Sequence, residues 1–392
     1  MRPHVGFVVA ATALIAATYG LSRFGFGLFV PAIERSISLG PAMTGAISSA
    51  SFFSYCIAAA CAYRLARAPR VTVLLAGVLA TLGSIGVALS GSALVLAVCI
   101  LVAGAGAGFA SPGLVALIQR NLDPAAESRA QAVVNSGTGF GVICAGPLAL
   151  VLADQWRVAW WIIAGLNAAA TIAVLGKSKR SQPESASIEP GTFRLSNLLP
   201  LRWAAAAALL AGVASAAVWT FSKSIVTAEG RISDAEATIF WVCLGSAGIA
   251  GAFSGDLVTR LGLRTSGTTT AALMGLSTLL VGLWPSSLVA VYAGGALFGA
   301  SYVAFSGILI AWVISVLPEH AAAGTAALFI TLALGQATGS LLMGVLLGAT
   351  SPAAAFAIAA GIAFSSFIPL ASCSGPGPQR STAPPLSRHE QR

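Results

Sequence analysis

Long apolar runs separated by short polar breaks recur along the whole chain. The first covers about Val5 to Ile33 and stops at Glu34 and Arg35. Five more follow at about 41–65, 71–89, 92–119, 130–153 and 156–176. The pattern then breaks over 177–197, where Lys177, Lys179, Arg180, Pro183, Pro190 and Arg194 give the composition of a linker rather than a helix. A second set of six runs occupies about 198–226, 235–257, 265–283, 287–317, 320–347 and 353–371. Runs of this length match a bilayer's hydrocarbon core, which a helix crosses in about 20 residues. The pattern predicts an all-α polytopic membrane protein with twelve transmembrane helices. Its expected parts are an N-terminal six-helix half (1–176), a cytoplasmic linker (177–197), a C-terminal six-helix half (198–372) and a Pro- and Ser-rich disordered tail (373–392).

Composition agrees: 57% of the 392 residues are hydrophobic and 8% are charged, against about 25% charged in a soluble domain. The net charge of +9 raises the question of nucleic acid, but its placement points to membrane orientation. Sixteen of the 21 basic residues fall in the termini, the linker and the breaks on the linker side; three, Arg35, Arg157 and Arg231, fall on the other side. This positive-inside bias puts both termini in the cytoplasm. The first run has a signal-peptide flavour but continues to Pro31, too long for a cleaved signal. Trp156, Trp160 and Trp161 in WRVAWW are expected in an interfacial aromatic belt. The six cysteines form no C-x-x-C or Cys/His cluster and are expected as small core residues.

An internal repeat appears at an offset of 194 residues: Arg70 matches Arg264, Gly113 matches Gly307, Pro124 matches Pro318 and Gly141 matches Gly335, with Ser92 matching Ser286. Two parallel six-helix halves with a site between them follow from it.

Two cations interrupt the apolar runs. Arg23 lies about 16 Å along the helix from Glu34 at ~1.5 Å per residue, near mid-membrane, where a charge costs about 2.5–3.5 kcal/mol on insertion scales. Such a residue needs a partner, a wet cavity or an anionic ligand. Lys223 lies closer to its helix end and is equally consistent with a site residue or a side chain snorkelling to the surface. Tyr19 precedes Arg23, and Trp219 precedes Lys223, by one helical turn, so each pair shares a face. None of the twelve acids falls mid-span. A cavity with cations and no carboxylate suits an anionic or zwitterionic substrate. Asn135, Tyr302 and Gln336 are polar groups within spans that could complete it, or equally serve as interhelical hydrogen bonds. No metalloprotease, P-loop or nucleophile-elbow motif is present, and the three histidines lie near chain ends or span ends, so no enzyme, metal or cofactor is expected.

GDLVTRLGLR, Gly255 to Arg264, resembles the G-x-L-x-D-R-x-G-R-R loop signature of the major facilitator superfamily. Gly255, Leu257, Arg260, Gly262 and Arg264 match, with Thr259 at the aspartate position and Leu263 at the first of the final basic pair. The first-half counterpart, YRLARAPR, keeps only Leu65 and basic residues. The resemblance implies an inner-side latch in which these arginines pair with acids and helix ends; plain positive-inside charge is the alternative. GTGFGVICAGP resembles in part the family's fifth-helix signature, G-x-x-x-G-P. Gly146 and Pro147 match, Gly141 is displaced from the leading position, and Gly137 stands at the start of the stretch; the counterparts in the eleventh span are Gly335 and Gly339. These small residues are expected to pack helices closely, at static contacts or at an interface that moves. Ile100 stands where the family often has an arginine. YGLSRFGFGLFVP, with WRVAWW, looks like the bacterial YbfB/YjiJ-type branch.

The resemblance covers about residues 5 to 372. It implies a secondary transporter of the bacterial inner membrane, working by alternating access, with spans one, four, seven and ten lining the cavity. It also implies a small-molecule substrate, protons as a candidate coupling ion, a lipid bilayer and no nucleic acid as surroundings, and a monomer. The favoured substrate is an organic anion or amphipathic metabolite. A drug or sugar efflux permease with a structural Arg23, and a membrane sensor that has lost transport, remain as alternatives.

Overall fold

The computed structural model describes residues 2–65, 67–152, 155–179, 195–251 and 253–372. Most of the proposed linker and the whole tail lie outside the described residues. The described chain is helical throughout, without strands. Among the described residues, eleven helices are long and apolar enough to cross a membrane: Val5–Ser36, Pro41–Arg64, Pro69–Leu89, Ala93–Asn121, Ala125–Leu152, Trp156–Lys177, Ser196–Ala228, Leu263–Leu283, Leu288–Val316, Pro318–Ala349 and Pro352–Leu370. Asp234–Gly251 and Ser254–Leu261, bent by 54° at their junction, make a twelfth if counted as one broken span. In chain order that pair is the eighth. Helices are the expected answer in lipid, since each satisfies its own backbone polar groups. Large apolar side chains such as Leu94, Val151 and Val289 stay exposed on the outer surface.

Local chemistry sets the ends. Pro41 and Pro352 open their helices at positions where a missing N–H costs nothing. Ser92 and Ser287 cap the fourth and tenth spans, accepting from Val95 N and Ala290 N, each at 3.4 Å. The tenth-span cap is therefore Ser287, one residue beyond the position that the 194-residue offset matches to Ser92. Successive spans alternate in direction, so the bundle has a linker end, carrying Arg64, Arg120, Lys177 and Arg260, and a far end, carrying Glu34, Arg35 and Asp234.

Close packing falls where glycines remove side chains. A Cβ added to Gly20 in the first span would lie 2.5 Å from the Cα of Gly141 in the fifth. One added to Gly335 in the eleventh would lie 3.0 Å from the Cα of Gly212 in the seventh. Gly141 and Gly335, paired by the repeat, thus make equivalent contacts in the two halves. Gly137 packs in the same way on Thr12, and Gly339 on Val213. These four glycines hold helices together within a half. Gly146 differs: it faces Val242 of the eighth span, across the halves. Pro147 is exposed. Across the halves, the second span also packs on the eleventh, where a Cβ on Gly45 would lie 3.1 Å from the Cα of Gly344.

The belt expectation for WRVAWW fails for two of its three rings. Trp156 and Trp160 are buried, Trp156 Nε1 donating to Ser36 Oγ at 2.9 Å, and only Trp161 faces outward. The three rings leave the helix in different directions, so a sequence cluster does not make one surface. The cysteines also divide: Cys56 is buried and Cys61 exposed.

Candidate functional site: a caged arginine between the halves

The first and seventh spans each carry an irregular segment within their length. Ala16–Phe24 and Ala217–Phe221 are π-helical, each with α-helix on either side. π-Segments widen a helix by one residue per turn and mark functional positions disproportionately. Arg23 lies in the first of these segments and Trp219 in the second.

Arg23 is 7% exposed. Its Nη2 donates to Oε1 of Gln336, in the eleventh span, at 3.1 Å. Gln336 Nε2 donates in turn to the Tyr302 hydroxyl, in the tenth, at 3.0 Å. The guanidinium carbon stands 3.9 Å from the Tyr55 ring centroid, 5.0 Å from Phe52, 5.1 Å from Phe24 and 5.6 Å from Tyr19. Ring faces attract a cation most when water is excluded. No carboxylate pairs with Arg23 among the described residues. Arg23 Nε is buried without an acceptor, as is Trp219 Nε1. Trp219 stacks on Phe24 at 4.1 Å between centroids, and meets Phe298 and Tyr302 edge-on, each at 5.4 Å.

The structure therefore brings Arg23, Tyr19, Trp219, Tyr302 and Gln336 into one cluster. Two sequence candidates stay outside it. Asn135 is exposed in the fifth span, beside a small cleft lined by Ile15, Ser111, Ile118 and Gln131 on the linker side of Tyr19. Lys223 is buried rather than snorkelling to the surface. Its Nζ donates to Thr238 Oγ1 at 3.1 Å and lies 3.8 Å from Asp234 Oδ1. The helix rise places Asp234 at the end of the eighth span, but the seventh and eighth spans lie side by side there, so a terminal acid reaches an internal lysine.

Sequence reasoning missed Phe24, Phe52, Tyr55 and Phe298. A signal was present: Phe52 and Tyr55 are three apart, and Phe298 and Tyr302 four apart, the same one-face spacing that joined Tyr19 to Arg23.

The far end is sealed by contacts between the halves. Asp234 Oδ2 lies 3.3 Å from Arg35 Nη2. Ser224 donates to Glu34 Oε2 at 3.4 Å across the halves, while Thr44, in the same half as Glu34, holds its Oε1 at 2.9 Å. Ser48 and Thr220 hydroxyls stand 2.9 Å apart. Gly27 lies against the Trp219 carbonyl, so that any Cβ there would overlap it.

At the linker end, Gly262 has φ 79°, the left-handed region that favours glycine, and joins the eighth span to the ninth. Its N–H donates to Val258 O at 2.9 Å, and Ser266 Oγ donates to Leu257 O at 3.0 Å. A Cβ added to Gly255 would meet nothing within 4 Å. Arg260 and Arg264 are exposed, and no ion pair holds them among the described residues. The helix-end contact expected of them is made in the other half: Arg70 Nη1 donates to Ser178 O, at the end of the sixth span, at 2.9 Å. The loop with the weaker motif match makes this tie because the end of the sixth span lies within its reach.

Two irregular helices in contact at the centre of a bundle of eleven or twelve spans, with a charge between them, fit the pattern of a multi-pass membrane transporter. The chain belongs to the major facilitator superfamily, whose family model matches residues 12–329. No curated protein matches it. Solved structures share the fold at low identity. The nucleoside transporter NupG superposes with a TM-score of 0.74 at 14% identity, over 95% of this chain and 99% of NupG. A bacterial homolog of the human lysosomal transporter Spinster, inward-facing and unoccupied, gives 0.69 at 14%, over 95% of each chain. The peptide transporter POT in complex with alafosfalin gives 0.72 at 14%, over 93% of each chain.

Proposed function

We propose that this transporter moves a small organic anion by alternating access between its two six-helix halves, 1–176 and 198–372, with Arg23 as the anion-binding group. The supporting observation is a buried arginine at mid-span whose hydrogen-bond partner is neutral. An ion pair would have satisfied Arg23 permanently; the Gln336 carbonyl leaves its charge uncompensated. The planar guanidinium fork matches a carboxylate in two places. Tyr19, Trp219, Tyr302 and Gln336 are the proposed companions. The sealed far end corresponds to an inward-facing or occluded state if the termini are cytoplasmic, as the distribution of basic residues supports, in a bacterial inner membrane. The first-span stretch supports the YbfB/YjiJ-type branch.

One observation favours a second reading. The ring cage and Gln336 already accommodate the guanidinium, as expected if Arg23 were structural in a drug or sugar permease. The same experiment separates the two: ligand-induced thermal stabilisation of purified wild type and Arg23→Ala across organic acids, amino acids, sugars and cationic drugs. An anion site predicts stabilisation by acids that vanishes in Arg23→Ala. A neutral or cationic ligand that stabilises both proteins equally would defeat it. The sensor alternative loses its motive, since the weak YRLARAPR loop still ties its half together through Arg70.

A further inference from the structure

Three buried N–H donors at or near Arg23 lack acceptors. Arg23 Nε, Trp219 Nε1 and Trp241 Nε1 all lie buried without one, and the three side chains form a linked group: Arg23 lies over Phe24, Phe24 stacks on Trp219, and Trp219 meets Trp241 at 5.7 Å. The acceptor that Arg23 has among the described residues, Gln336 Oε1, belongs to an amide that is also engaged with Tyr302. Buried donors without partners are uncommon in folded proteins, and each calls for an explanation. A ligand that supplies acceptors and no donors is one.

The walls around these donors are rings. Phe24 and Trp219 lie nearly parallel, with 27° between their planes, and come from the first and seventh spans. They therefore belong to different halves, and a motion that separates the halves at this depth would part them. Phe298 and Tyr302 stack on each other at 5.6 Å behind Trp219. Arg23 sits beside this stack, its guanidinium carbon 5.1 Å from the Phe24 centroid. A ligand ring entering next to Phe24 would bring a carboxylate attached to it within reach of the Arg23 fork.

We propose that the substrate is an aromatic carboxylate: its ring enters between Phe24 and Trp219, and its carboxylate takes the Arg23 Nη2 and Nε donors, displacing the Gln336 carbonyl. This rests on the anion-site reading of Arg23 and narrows it. A sugar would bring as many donors as acceptors, whereas the unpartnered groups beside Arg23 are N–H donors. A short aliphatic acid would leave the ring walls without a partner. Ring stacking adds specific attraction beyond area burial, and in a site with two facing rings the expected gain is about tenfold in affinity.

The test measures binding of benzoate, cyclohexanecarboxylate and benzamide to the purified full-length protein by calorimetry. The expected result is benzoate about tenfold tighter than cyclohexanecarboxylate, with no binding of benzamide. Trp219→Leu should erase the difference between the two acids, and Arg23→Ala should abolish binding of both. If Trp219→Leu fails to fold, the wild-type comparison decides alone; if Arg23→Ala fails, Gln336→Glu, which fills the fork from within, replaces it. Equal affinity for the two acids, both lost without a free Arg23, overturns the aromatic proposal and leaves the anion site standing. Acids that do not bind, or that bind independently of Arg23, overturn both.

Discussion

Asp234, at the start of the eighth span, lies 3.3 Å from Arg35 at the end of the first and 3.8 Å from Lys223 within the seventh. One carboxylate thus serves two cations, one from each half of the molecule. The Arg35 contact is half exposed on both sides, and such pairs contribute about 0–1 kcal/mol. Lys223 matters more because its side chain is 7% exposed.

Asp234→Asn should destabilise the protein by leaving that ammonium with a hydroxyl alone. The expected cost is about 1–2 kcal/mol, below the ~3–5 of a fully buried pair because Asp234 keeps half its surface in water. Adding Lys223→Met should recover most of the loss. Thermal unfolding of the two single variants and the double variant checks this; a double variant no more stable than Asp234→Asn would show that the buried charge is not the cause.

Gln336→Glu should convert the Arg23 contact into a standing ion pair. The protein should fold, and its stabilisation by organic acids should weaken by at least about tenfold, the equivalent of ~1.4 kcal/mol. Unchanged acid binding in this variant would place the anion elsewhere.

The glycines separate by what surrounds them. Gly141→Val would push into Ala16 and Gly20 at the π-segment, and overpacking of this kind costs about 1–3 kcal/mol or more. Gly262→Val meets open space but forces a β-branched residue to φ 79° and ψ 161°, at a cost of about 1–3 kcal/mol. Gly255→Ala meets neither obstacle and should be neutral. Membrane-inserted yield and melting temperature should rank Gly255→Ala above Gly262→Val and Gly262→Val above Gly141→Val. Wild-type behaviour of Gly141→Val would contradict the packing at the π-segment.

Reporter fusions after Arg180 and after Arg392 should both register in the cytoplasm, as the sixteen-to-three division of basic residues requires. A periplasmic signal from either would invert or break the proposed topology.

The spans were legible from the sequence because a bilayer imposes a length and an apolarity that nothing else in a chain this poor in charge requires. Arg23 stood out for the same reason: against that background a mid-span charge is conspicuous. The repeat pointed to Gly141 and Gly335, and the structure supplies their content, a close approach to Gly20 and Gly212. What the sequence could not carry was which face of each helix meets which neighbour. Both faces of a membrane helix are apolar, so the periodicity that orients a helix in a soluble protein fades. The partner of Arg23 is therefore Gln336, 313 positions away, and the rings around it come from spans whose rotation hydropathy does not set. Lys223 meets Asp234 because the seventh and eighth spans lie side by side there, and Arg70 gains a helix end because the end of the sixth span lies beside its loop. Each of these was decided by helix rotation and neighbour choice, which are properties of the packed bundle.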